Sequence, residues 1–217
     1  MERFAVILLV AVFALAVPSC HRGGEKPADP PQVPEIPYDS LREGDLAFRK
    51  GTGALSHMLT LTAENKDYSH VGVLFLRDSE WVVVHAVPDE PESDVDYDRV
   101  KSERLTSFFA SNRAIYGELV HTPVEDSKTI ARMHIRALRW VRDSIRFDHS
   151  YVLGDTTKLY CTELAWTLYH DEGIDLSEGR RTIWSLPAIS DTLLFPEDIR
   201  HYRGNHTYFK FKHQYTP

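Results

Sequence analysis

Apolar and polar positions alternate in several registers along this chain, and the changes of register mark its elements. Residues 4–17 form an unbroken apolar run behind Met1-Glu2-Arg3. At 14 residues the run is too short for a bilayer-spanning helix, which needs about 20. Its charged start and small-residue end match a signal peptide over residues 1–19. Residues 21–37 carry five prolines and two glycines with no apolar period, the pattern of a semi-extended tether. Beyond it, Gly44-Asp45-Leu46-Ala47-Phe48 reads as a turn opening a strand. Residues 54–62 show helical spacing. The runs His70-Val71-Gly72-Val73-Leu74-Phe75 and Trp81-Val82-Val83-Val84-His85-Ala86-Val87, split by Arg77-Asp78-Ser79-Glu80, predict an antiparallel hairpin.

Further along, residues 105–110 suggest a helical turn and residues 114–120 a strand. Thr122-Pro123-Val124-Glu125 has the form of a capping box with proline at the first helical position. Ile130, His134, Leu138, Val141 and Ile145 then recur at helical spacing. A second helix should begin near Cys161 and stop at Gly173, a natural position for a left-handed cap. Tyr208-Phe209-Lys210-Phe211 alternates as a final strand. Strands and helices are mixed without strand–helix–strand alternation, which predicts an α+β fold with an antiparallel sheet. Residues 38–217 are enough for one domain with its own core.

The net charge of −7, with acidic residues crowded between 89 and 98, offers no basic stripe, so nucleic acid is not an expected partner. Of the two cysteines, Cys20 ends the signal-like segment. Val17-Pro18-Ser19-Cys20 resembles a bacterial lipobox, in which the cysteine becomes the first residue and carries lipid. The expectation is a lipid-anchored protein of the cell envelope, with ordinary cleavage and secretion as the alternative.

Cys161 is then the single cysteine of the mature domain, and a lone cysteine with histidines elsewhere is a candidate nucleophile. At a helix start its thiol is expected to have a depressed pKa, and the helix N–H groups face a developing oxyanion. Among eleven histidines, His70 stands at the mouth of an apolar strand, rigidly placed as a general base should be. His85 lies on the partner strand and is the candidate third group that fixes the base's tautomer. The hairpin is expected to aim both imidazoles at the helix start.

These motifs occur in an ordered set: Gly44-Asp45-Leu46-Ala47-Phe48-Arg49, Tyr68-Ser69-His70-Val71-Gly72-Val73, His85-Ala86-Val87-Pro88, Phe147-Asp148 and Leu159-Tyr160-Cys161-Thr162-Glu163-Leu164. The set resembles the YiiX/YebB-like cysteine hydrolases. These are permuted papain-fold amidases related to the NlpC-type cell-wall peptidases and to lecithin:retinol acyltransferase. The resemblance implies a circularly permuted papain-like fold, Cys161 as nucleophile and His70 as base. Relatives often carry a glutamate where this chain has His85, and the acyltransferase cousins carry a second histidine. By the same analogy Tyr160 contributes to the oxyanion site. The expected substrate is an amide or ester, as in a cell-wall peptide or an acylated lipid, with acyl transfer and a non-catalytic binding module as alternatives. No cofactor is implied, and neither an HExxH motif nor a cysteine set for structural zinc is present.

Overall fold

The computed structural model describes residues 29–53, 56–57, 67–91, 93–155, 157–186 and 189–214, the side chains of 184–192 aside. The signal-like segment, Cys20 and most of the expected 54–62 helix lie outside the described residues. Residues from Gln32 onward already pack against the domain: Ser111 N donates to Gln32 O, and Ile36 is buried.

Among the described residues, a 3-10 turn at Tyr38–Ser40 precedes ten strands and four α-helices: β1 (Leu46–Gly51), β2 (His70–Arg77), β3 (Glu80–Val87), β4 (Arg99–Arg104), α1 (Leu105–Phe108), β5 (Ala114–His121), α2 (Ser127–Arg142), β6 (Arg146–Phe147), β7 (Lys158–Leu159), α3 (Cys161–His170), β8 (Thr182–Leu186), β9 (Ile189–Leu193), α4 (Pro196–Arg200) and β10 (His206–Lys212). Eight strands form one sheet in the order β10-β5-β1-β2-β3-β4-β6-β7. All its pairs are antiparallel except β6–β7, and β8–β9 form a separate hairpin. The fold is α+β with a large mixed sheet.

The predicted hairpin is present, with Arg77 facing Glu80 across a two-residue turn. Asp78 and Ser79 both take positive φ (49° and 67°), the type I′ geometry that matches strand twist. The long helix α2 starts later than expected. Asp126, not Thr122, is its N-cap and accepts from Thr129 N at 2.8 Å. Thr122 is instead buried beneath the Tyr169 hydroxyl, so its side chain serves packing and the next competent cap takes the helix start. Helix α3 ends as the sequence suggests. Gly173 adopts φ 81° and its N–H returns to His170 O, while Ile174 N donates to Tyr169 O.

Strand alternation divides the core. Leu46, Phe48, Val71, Val73, Phe75, Val84 and Ala86 point to the face covered by α2 and α3. Ala47, Leu74, Val83 and Leu119 point to the other face, closed by Leu105, Phe108 and Phe109 of α1 and its exit. This parity decides where the functional side chains emerge.

Candidate functional site

His70, at the start of β2, and His85, near the end of β3, leave the sheet on the Phe108 face. The His70 ring centroid is 5.7 Å from that of Phe108 and the His85 centroid 5.3 Å. His70 Nε2 stands 2.8 Å from His85 Nδ1, with the rings edge to face. Gly72 makes this possible. A Cβ there would stand 3.0 Å from His85 Cβ and 2.3 Å from Val83 Cγ1, so any side chain would push His85 away from its partner.

Strand β4 supplies a residue that the sequence patterns did not single out. Glu103 pairs with Val83 in register and therefore emerges on the same face as His85. Its Oε1 lies 3.0 Å from His85 Nε2, a contact of charge and dipole rather than a straight hydrogen bond. Two guanidiniums complete the cluster. Arg49 pairs with His70 across β1–β2, is 1% exposed, lies over the Phe108 ring at 4.3 Å and binds Glu90. Its Nη1 donates to Phe108 O and lies 3.7 Å from Glu103 Oε1. Arg113 reaches Glu90 at 2.6 Å and Glu103 at 3.0 Å. Two cations and two carboxylates thus balance beneath the imidazole pair. A cluster of this kind is hard to find by motif, because its members come from β1, β2, β3, β4, the β3–β4 connection and the α1–β5 loop and meet only through the folded sheet.

The electrostatics follow from burial and these neighbours. Burial raises the Glu103 carboxyl, but the His85 contact and the charges of Arg49 and Arg113 outweigh it and bring its pKa down to about 2. His70 is held well below the ordinary imidazole range, chiefly by burial and then by the Arg49 and His85 charges. The neutral imidazole is therefore the favoured form.

Cys161 opens helix α3 with no side-chain cap from Tyr160. The first intrahelical bond is Leu164 N to Tyr160 O, so the preceding N–H groups have no acceptor within the helix. The thiol belongs to the opposite core face from the imidazoles, and of the two only His70 shares a cleft with it. Cys161, His70, Arg49, Asn112, Arg113 and Tyr151 line one cleft of about 340 Å³. The two imidazoles share one face of the sheet, the one away from the helix, and His70 reaches the helix start through this cleft. Sγ is held by Thr162 Oγ1 at 3.8 Å and by backbone N–H groups including that of Val71, and among the described residues no hydrogen bond joins it to the His70 ring. The expected depressed thiol pKa is corrected. Burial pushes Cys161 up, and the Thr162 and backbone contacts offset only part of that. Desolvation of a sulfur enclosed on the core side outweighs the dipole of a ten-residue helix.

Tyr160 is 1% exposed and its hydroxyl accepts from Leu194 N at 3.3 Å. Its ring lines a small apolar slot that Cys161 also borders, and not the cleft that holds His70. Glu163, in the first turn of α3, is also buried. One oxygen accepts from Gly154 N at 2.6 Å, and the other has no hydrogen-bond partner. Burial pushes its pKa up to about 7.

Among the described residues, no three or more His, Cys, Asp or Glu side chains are grouped to hold a metal ion. Nε2 of His70 and Nδ1 of His85 face each other, and Nε2 of His85 faces Glu103, so three of the four ring nitrogens are directed within the network. That donor set does not fit a metal centre.

No protein-family model matches the sequence, and no curated protein matches it. A solved structure does match: the crystal structure of metalloprotein yiiX from Escherichia coli O157:H7, DUF1105. The two are 18% identical with a TM-score of 0.63, over 79% of this chain and 98% of that one. The chain described here has a YiiX-like fold.

Proposed function

We propose that the protein is a cysteine hydrolase of the bacterial cell envelope, anchored through Cys20, that cleaves an amide bond by way of a covalent acyl-enzyme. On this reading the domain is a permuted papain-like hydrolase. The observation that carries the proposal is the buried His70–His85–Glu103 chain ending at a cleft that it shares with a cysteine at a helix N-terminus.

The chain of contacts assigns tautomers. An ionised Glu103 favours the proton of His85 on Nε2. Nδ1 of His85 then accepts from the Nε2–H of His70, which leaves His70 Nδ1 with its lone pair as the base. Cys161 and His70 rest as a neutral thiol and a neutral imidazole, because burial disfavours both charged forms. Substrate entry brings the proton transfer. His70 takes the thiol proton as sulfur attacks the carbonyl carbon, and the N–H groups at the start of α3, which face the sulfur at rest, turn to the negative oxygen. His70 returns the proton to the leaving amine as the C–N bond breaks. Water, deprotonated by the same imidazole, then releases the acid and the thiol.

Incubating the purified domain with amide and ester libraries tests the reading. Acyl adducts on Cys161 by intact-protein mass spectrometry, absent in Cys161→Ala and strongly reduced in His70→Ala, are the expected result. Turnover that survives Cys161→Ala would overturn it.

A further inference from the structure

Two cavities of different character meet at the sulfur. The cleft of about 340 Å³ carries His70, Arg49, Arg113 and Asn112. On the other side lies a slot with an accessible space of about 20 Å³, walled by Tyr151, Tyr160, Leu193, Leu194, Phe195 and Pro196. The slot is built. Leu193, Leu194 and Phe195 are at most 4% exposed, and the bond from Leu194 N to the Tyr160 hydroxyl ties its wall to the residue before the nucleophile. Cys161, Tyr151 and Ser69 border both spaces, whereas His70 borders only the cleft.

Resting on the hydrolase reading above, we infer that the slot is the acyl-side specificity pocket and that it selects a short apolar acyl substituent of about methyl size. The division follows from proton transfer. When the C–S bond forms and the C–N or C–O bond breaks, the leaving group takes its proton from His70 and so departs on the cleft side. The acyl substituent that stays bonded to sulfur takes the other space. A space of about 20 Å³ is little more than the roughly 10–15 Å³ that one water needs. An acetyl or alanyl-type methyl fills that space. The fitting substrate class is a small-residue acyl amide, such as an alanyl bond with a polar leaving amine, and not a long-chain lipid amide.

Acylation by p-nitrophenyl acetate, propionate, butyrate, hexanoate and decanoate tests this. Each rate is read as the Cys161 adduct by intact-protein mass spectrometry and divided by the rate with glutathione. The wild type should fall at least about tenfold from propionate to hexanoate, and Leu194→Ala should move the break to longer chains. The wild-type series stands without the variant should that variant fail to fold. Equal or rising rates with chain length would overturn the inference and leave the hydrolase reading in place. No Cys161 adduct with any ester would overturn both.

Discussion

Glu103 Oε1 stands 3.0 Å from His85 Nε2, and His85 Nδ1 stands 2.8 Å from His70 Nε2. A carboxylate two strands away thereby reaches the candidate base through an intervening imidazole.

If Glu103 orients the pair, Glu103→Gln keeps its shape and removes its charge. Turnover should fall by about 10- to 100-fold, a part of what a positioned general base contributes, with KM little changed. Glu103 stays ionised down to about pH 2, so the variant should lower the whole pH–rate profile and not merely move one limb. A profile that superimposes on the wild type would assign Glu103 to packing alone.

His85→Ala should lower turnover by roughly one to three orders of magnitude. His85→Glu is the more informative change, because it would set a second carboxylate against Glu103, and two such charges in one buried site disfavour each other. The single variant should be poorly active, and adding Glu103→Gln should restore activity. Steady-state kinetics of the three variants decide the matter. Failure of the double variant to exceed His85→Glu would remove the relay.

Because burial raises the Cys161 thiol, iodoacetamide at pH 7 should alkylate it more slowly than free cysteine, and the rate should go on climbing with pH above the range in which free cysteine levels off. His70→Ala should leave this slow alkylation within about twofold while abolishing acylation by substrate. A steep fall in alkylation on removing His70 would reveal a resting thiolate–imidazolium pair.

Glu163 sets a stability prediction with a definite sign. Its folded pKa of about 7 lies above the ordinary 4.5, so the folded state holds an extra proton between those values. The associated stability is present below about pH 4.5 and is lost as pH rises through about 7. The effect is at most on the order of 3 kcal/mol. Glu163→Gln should flatten this slope in urea-unfolding midpoints measured from pH 4.5 to 8. An unchanged slope would place the titration elsewhere.

If Cys20 carries lipid, the wild-type protein should take up labelled fatty acid and enter the detergent phase, and Cys20→Ala should do neither. An unlipidated mature chain starting elsewhere would reject the anchor.

The sequence by itself determined the elements whose signals are local. The β2–β3 hairpin follows from two β-branched runs around a polar turn, and the end of α3 follows from Gly173, which readily adopts the left-handed cap. Cys161, His70 and His85 were legible because each sits at a marked place: a helix start, the mouth of a strand, and the strand beside it. Helix α2 shows the limit of local signals. Thr122 has the form of a cap, yet tertiary packing under Tyr169 claims it and Asp126 caps instead. Only the tertiary structure decided which face of the sheet each side chain leaves. Strand register places Arg49 beside His70 and Glu103 beside His85, on the face opposite the cysteine helix. Burial is likewise a property of the assembled layers. It raises the Cys161 thiol against the pull of its own helix, because desolvation depends on everything packed around the sulfur and the helix dipole only on its local chain.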